Sequence, residues 1–197
     1  MTNPGYRFDG DPKDFWSWKT RLQKRILSSD LSPSMSLLAI QANTDKRPRK
    51  LVDFIIEFND SDSVETITVI WEVLCRLYGN SDTISDQLFN ELNEFPVLSS
   101  PGTFLDFEHL LDICWKIYLN IPHCPKLKSL NTGSEIKQII EKLPLELGRQ
   151  WIEIHKEYEF VCGAEPKFLV FLHFLNEKFE EIFPHSSTPV KLKNCKI

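Results

Sequence analysis

The chain has 197 residues, of which 42% are hydrophobic and 26% charged, and its formal net charge is −5. This composition is typical of a globular protein with enough apolar side chains for one domain or two small ones. No segment approaches the roughly 18 consecutive apolar residues that a membrane span needs, so we expect none. Five cysteines without a C-x-x-C pair favour a reducing, intracellular and cytoplasmic location over a disulfide framework.

Helix signals follow one another through the first eighty residues. Asp11-Pro12 and Ser32-Pro33 predict N-caps followed by proline at the first helical position, and Asp62 predicts a third cap. Residues 46–50 (KRPRK) are predicted to form a turn, and Gly79 a left-handed C-cap. Apolar spacings of three and four define the predicted helices, with Phe15, Trp18, Leu22 and Ile26 in the first, Leu37, Leu38 and Ile40 in the second, Leu51, Phe54, Ile55 and Phe58 in the third, and Val64, Ile67, Trp71, Leu74 and Tyr78 in the fourth.

The second half continues the pattern. Thr103 is a predicted cap with Asp106 three residues later, and residues 132–135 form a capping box. The predicted apolar positions are Ile84, Leu88 and Leu92, then Phe104, Phe107, Leu111, Cys114 and Tyr118, then Ile136, Ile139, Ile140 and Leu143, then Leu147, Trp151, Ile154 and Tyr158, and finally Phe168, Phe171, Leu172, Leu175, Phe179 and Phe183. No alternating strand pattern occurs, so an all-α fold of roughly nine helices is predicted.

The helix stop at Gly79-Asn80 predicts a boundary between two small helical domains, residues 6–80 and 81–184. Residues 185–197 lack an apolar period and are predicted to form a flexible basic tail. Each domain is of marginal size to stand alone, which favours contacts between domains or between chains.

Charge is unevenly distributed. Residues 1–50 carry ten Lys and Arg against five Asp and Glu, whereas residues 51–100 carry one against ten. Such a chain could associate head to tail through its opposite charges, or its basic end could bind an anionic partner. The simpler alternative is that both charged segments only face water. The candidate contacts to RNA phosphates are Lys46, Arg47, Arg49 and Lys50, together with Lys191, Lys193 and Lys196 in the tail. No aromatic platform is interleaved with them, so base stacking is not predicted.

The sequence contains no common motif for catalysis or cofactor binding. The chain has no Gly-rich phosphate loop, no dinucleotide fingerprint, no H-x-x-x-H and no G-x-S-x-G. His123-Cys124 is the only adjacent pair of metal-ligand types, and no second pair stands at zinc-ligand spacing. We therefore expect no enzyme, no cofactor, no metal and no small-molecule substrate.

The order of several short motifs resembles the capsid-like Gag region of retrotransposons. These motifs are Phe8-x-Gly10-Asp11-Pro12, Trp16-x-Trp18, the Ser29–Ser32 turn, Leu77-Tyr78-Gly79-Asn80, Leu88 with Glu91, Leu92 and Pro96, and Lys142–Leu147 before Trp151. Their succession is most similar to the BEL/Pao group. The second half also resembles the C-lobe of the activity-regulated cytoskeletal protein, a domesticated Gag.

The resemblance implies domains like the N- and C-terminal domains of retroviral capsids, and a protein that self-assembles into a shell enclosing RNA. The segment 99–111 is similar to a loop and helix that support fold and assembly in such proteins. The carried-over positions are Phe104, Phe107, Glu108 and Leu111. A glutamine and an arginine of the retroviral form are missing from this segment, and no zinc knuckle is present.

Trp16 lies off the apolar face of the first helix, next to Lys13, Lys19 and Lys24. Helical spacing predicts that its ring is exposed, as a subunit contact would require. The leading interpretation is a capsid-type assembly protein. The alternatives are an adaptor that binds a partner peptide in a groove between helices without forming shells, and an RNA-binding regulator that does not assemble.

Overall fold

The computed structural model describes residues 7–99, 103–131 and 136–184. Within these ranges the regular secondary structure is helical, and the only β-type pairing is an isolated bridge between Phe8 and Thr44. The all-α prediction is thereby confirmed. The helices are α1 (Pro12–Ser28), α2 (Pro33–Ala42), α3 (Lys46–Glu57), α4 (Val64–Tyr78), α5 (Ser81–Glu94), α6 (Phe104–Asn120), a 3-10 helix (Pro125–Asn131), α7 (Ile136–Ile140), α8 (Leu145–Cys162) and α9 (Phe168–Ile182). The predicted capping box 132–135 and the tail with its three lysines lie outside the described residues.

The chain divides into two compact units. The first unit runs to Phe89 and also contains Leu119–Leu127, and the second contains Asn90–Tyr118 and the chain from Lys128 onward. This division differs from the boundary expected between residues 80 and 81. The start of α5 belongs to the first unit, where Lys126 pairs with Asp82 at 3.3 Å and with Asp86 at 3.0 Å.

The core of the first unit forms around aromatic side chains from α1, α4 and the segment before α1. Phe8 stacks on Trp18 with ring centroids 4.9 Å apart and meets Tyr78 edge-on at 5.1 Å. The Trp18 Nε1 donates to the Asn43 carbonyl at 2.9 Å, which joins α1 to the end of α2. The buried side chains are Phe8, Phe15, Trp18, Leu22, Leu37, Ile40, Val52, Ile55, Ile70, Leu74 and Tyr78.

The start of α3 differs from the prediction. The basic segment is not a turn, because α3 begins at Lys46 with Asp45 as its N-cap. The buried side chains of α3 are Pro48, Val52 and Ile55. Of the predicted positions Ile55 is therefore buried and Leu51 is partly buried, whereas the other two are exposed.

The start of α4 also differs, because Ser63 and not Asp62 caps it. The Ser63 hydroxyl accepts a hydrogen bond from the Glu65 N–H at 3.0 Å. The Asp62 carboxylate instead accepts one from the Ser34 N–H at 3.2 Å, next to the Ser32 cap of α2. The buried residues of α4 are Thr66, Ile70, Leu74 and Tyr78. The last two were predicted, Ile67 and Trp71 are partly buried, and of the predicted positions only Val64 is exposed.

Gly79 ends α4, but its backbone is not left-handed, since φ is −95°. Glycine is needed there for space: a Cβ atom would lie 3.0 Å from the Phe15 ring and 3.1 Å from the Trp16 ring. The next residue, Asn80, caps α5, because its side-chain oxygen accepts from the Thr83 N–H at 2.9 Å. The two helices are therefore joined directly.

In the second unit, the predicted interior positions are buried or partly buried. Thr103 caps α6, and its hydroxyl accepts from the Asp106 N–H at 3.2 Å, as predicted. Trp151 of α8 packs edge-on against Phe171 of α9 with centroids 4.9 Å apart. The buried members of α9 are Phe168, Phe171, Leu172, Phe174 and Leu175.

Candidate assembly surfaces

Trp16 is partly buried within the first unit. Its indole stacks on the His123 ring with centroids 4.2 Å apart and planes 7° from parallel. The Lys19 ammonium lies 5.0 Å from its centroid. Its Nε1 is buried and has no hydrogen-bond partner in the described part of the chain. The expectation that Trp16 is exposed is wrong, because the segment 119–127, distant in sequence, covers it.

Most of the four positions in α6 that the resemblance to capsid proteins singled out have interior side chains. Phe107 is 2% exposed and Leu111 8%. Phe104 is partly buried, with its ring 5.2 Å from Phe179 and 5.4 Å from Phe183. Glu108 is exposed. The three apolar side chains support the fold of the second unit, and a role of the four positions in assembly stays a prediction.

Half of the basic cluster is engaged in ion pairs. The Lys46 Nζ lies 2.7 Å from the Asp9 carboxylate, which lowers the pKa of Asp9 and raises that of Lys46 through their shared hydrogen bond. Arg49 bonds Asp53 at 2.8 Å and the Gln41 carbonyl at 2.6 Å. Arg47 and Lys50 are exposed, and neither forms an ion pair with a carboxylate among the residues described. These two are the cations of the cluster that remain for a partner.

Large apolar side chains are exposed on both units. Those of the first unit include Leu27, Met35, Leu38, Phe54, Phe58, Val64, Val69 and Leu77, and those of the second include Val97, Leu105, Leu145, Ile152, Phe160 and Val161. Phe54 and Phe58 form a pair, 59% and 68% exposed, with ring centroids 4.7 Å apart. Their predicted place in the core is wrong, because Val52 and Ile55 occupy it.

This aromatic pair lies near the end of α3, where other apolar side chains are exposed. Val64 opens α4 directly after the connecting loop and is 62% exposed. The hydrogen bond from Ser34 to Asp62 in that loop brings the start of α2 to the same end, with Met35 51% exposed. We call Met35, Phe54, Phe58 and Val64 the α3–α4 patch. Exposed apolar groups gathered at one end of a unit are typical of a contact surface.

The charges of α3 oppose its helix dipole. The N-terminus of a helix carries partial positive charge and favours acids, and the C-terminus favours bases. In α3 the bases stand in the first turns, whereas Glu57 is its last residue and Asp60 and Asp62 follow it. The basic and acidic ends are about 18 Å apart for twelve helical residues, and the acidic end coincides with the α3–α4 patch. Ion pairs within the chain offset this unfavourable order for Lys46 and Arg49, whereas Arg47 and Lys50 stay exposed at the basic end.

Other kinds of site find no support in the described residues. No group of three or more His, Cys, Asp and Glu there could hold a metal ion. His123 stacks on Trp16, and the neighbouring Cys124 thiol is buried beside the Ser85 hydroxyl. Among the same residues no helix has the length and apolar character to cross a bilayer.

Comparisons with known proteins give no relative. No family model, no curated protein and no solved structure matches the chain. Functional inference therefore depends on the sequence motifs and on the surfaces described above.

Proposed function

We propose that the chain is a self-assembling structural protein, a Gag capsid protein of a retrotransposon or a domesticated derivative, whose copies form a shell around RNA. The order of the motifs supports the family. The observation that carries self-assembly is the exposed aromatic pair, Phe54 and Phe58, at the acidic end of a helix whose other end is basic.

In this proposal the subunits associate head to tail. The basic start of α3 in one copy approaches the acidic end of α3 in the next, and the α3–α4 patch is covered in the contact. Such a heterologous interface closes into rings when the rotation between subunits permits it. Charge complementarity sets the register and speeds association, whereas apolar burial supplies most of the affinity.

The aromatic pair is large enough to matter for a weak repeated contact. A phenylalanine can bury on the order of 150–250 Å², so exposed fractions of 59% and 68% leave roughly 250 Å² for a partner to cover. At about 25 cal/mol per Å² this area contributes about 6 kcal/mol before the entropy of association is subtracted. A modest net affinity per contact suits a shell, in which many such contacts act together.

Electron microscopy and light scattering test the proposal. The purified chain, with and without RNA, is examined at low and at moderate salt by size-exclusion chromatography with light scattering, and by negative-stain microscopy. We expect rings or shells. A double variant, Phe54→Ser with Phe58→Ser, should stay monomeric, whereas Leu27→Ser, which alters a side chain 80% exposed at the end of α1, should assemble normally.

A chain that stays monomeric at all salt and protein concentrations would refute self-assembly. Capture of a partner peptide by that monomer would favour the adaptor. If RNA binding without assembly were found, with an affinity that falls steeply with salt, it would favour the RNA-binding regulator.

A further inference from the structure

Lys19 of α1 makes its polar contact with a thiol instead of a carboxylate. Its Nζ donates to the Sγ of Cys75 on α4 at 2.9 Å, and it forms no ion pair with a carboxylate in the part of the chain that the structure describes. The ammonium lies over two indole rings, 5.0 Å from the centroid of Trp16 and 5.8 Å from that of Trp71. Cation–π attraction to both rings holds the amine in place beside the sulfur.

Cys75 differs in its surroundings from the other three cysteines that the structure describes. It is half-buried, so a small oxidant can reach it, whereas Cys114 and Cys124 are buried. Cys162 is exposed and serves as an internal reference for oxidation. Lys19 and Cys75 are 56 residues apart in sequence, so the fold of the first unit alone brings the amine to the thiol.

We propose that Lys19 and Cys75 are a modification site, in which hydrogen peroxide drives formation of a covalent Nζ–Sγ bond, a sulfenamide. In the first step the Cys75 thiol reacts with one hydrogen peroxide to give the sulfenic acid and one water, so that sulfur is oxidised by two electrons and peroxide is reduced. Cysteine sulfenic acids condense with nearby nucleophiles, including nitrogen.

In the second step the Lys19 ammonium first loses a proton to solvent. The neutral amine then attacks the sulfur, the N–S bond forms, and the S–O bond breaks. The departing hydroxyl takes a second proton from nitrogen and leaves as water, with no further oxidant consumed. The amine starts 2.9 Å from the sulfur, within the distance at which oriented groups react as if highly concentrated.

The bond joins α1 to α4 and restricts the unfolded chain, so it stabilises the first unit. A thiol reverses it: attack on the sulfur restores the Lys19 amine and leaves a mixed disulfide, which a second thiol reduces. The site therefore locks the first unit under oxidising conditions and releases it under reducing ones. This inference does not depend on self-assembly.

Peptide mass spectrometry tests the proposal on the full chain, first reduced and then treated with hydrogen peroxide. After trypsin digestion we expect Asp14–Arg21, uncut after Lys19, joined to Leu51–Arg76, with a mass about 2 Da below the sum of the two reduced peptides. Dithiothreitol should separate them. The thermal unfolding midpoint should rise on oxidation and fall again on reduction.

Two conservative variants are the controls. Lys19→Arg keeps a cation over the indole rings and removes the reactive amine, and Cys75→Ser removes the sulfur. Both should fold, judged by circular dichroism, and neither should give the joined peptide or the rise in midpoint. The proposal is overturned if dimedone labels Cys75 as sulfenic acid and no joined peptide forms, or if Cys75 stays a thiol while Cys162 is oxidised.

Discussion

Replacing Phe107 by alanine separates a core role from an interface role in the second unit. The side chain is 2% exposed, and its ring centroid lies 5.6 Å from Phe179 and 6.4 Å from Phe183. Removing a buried phenylalanine ring costs about 3–5 kcal/mol, through lost burial and the cavity left behind. Domains have only about 5–15 kcal/mol of net stability, so we expect Phe107→Ala to remove a large share of the stability of the second unit.

Urea unfolding followed by far-UV circular dichroism measures this effect. The matched control is Leu105→Ala on the same helix, where the side chain is 71% exposed and the change should stay within about 0.5 kcal/mol. A Phe107→Ala protein with the wild-type midpoint, but with impaired assembly, would contradict the packing described for α6. It would assign Phe107 to a subunit contact instead.

Three further predictions concern the first unit and the end of α8. Lys50→Glu should weaken self-association in light scattering, and adding Asp60→Lys should restore it if the start of α3 in one copy meets the end of α3 in the next. Unchanged self-association of the Lys50→Glu variant would argue against that contact. Gly79→Ala should lower the free energy of unfolding by about 1–3 kcal/mol because its Cβ crowds two rings. Gly163→Ala has open space around the Cβ but φ of +66°, so it should cost about 1 kcal/mol through backbone strain. A Gly79→Ala protein as stable as the wild type would contradict the close packing at the end of α4. Burial and the charge of Lys19 lower the pKa of His123 below its ordinary value of 6.5. As pH falls below about 6.5, the unfolded chain therefore binds this proton more readily than the folded chain, and the stability should fall. His123→Gln should flatten that pH dependence in thermal unfolding.

Local signals in the sequence predicted most helices correctly. Asp11, Ser32 and Thr103 cap the helices that were predicted to start after them. The reason is local, because the oxygen of a short polar side chain at this position accepts a hydrogen bond from a free backbone N–H of the first turn. The interior face of α5 was also predictable, because polar residues on its other sides leave one choice of face. In α9 the predicted Phe168, Phe171, Leu172 and Leu175 are buried, but Phe174 is buried without having been predicted, because apolar residues surround the start of that helix.

Periodicity failed where apolar residues surround a helix. In α3 such residues occupy six of the eight positions 51–58, so spacing alone could not distinguish the Val52 and Ile55 face from that of Phe54 and Phe58. The error at Trp16 has a different origin. Its cover, His123, lies more than a hundred residues away in sequence, and local pattern contains no information about such a contact. The pairing of Lys19 with Cys75 was hidden for the same reason.

Two features of α3 are unfavourable in a single chain. Phe54 and Phe58 leave aromatic surface in water, although the chain already fills the core below them with Val52 and Ile55. The bases at the start of the helix and the acids at its end each oppose the dipole. Ion pairs within the chain account for Lys46 and Arg49, but polar residues at 54 and 58, and acids in place of Arg47 and Lys50, would suit a monomer better. In the proposed assembly a second copy would reduce both costs together, since it would cover the rings and place opposite charges against each other. For this reason α3, and not the buried Phe107 and Leu111 of α6, is the element in which we expect assembly to be most sensitive to substitution.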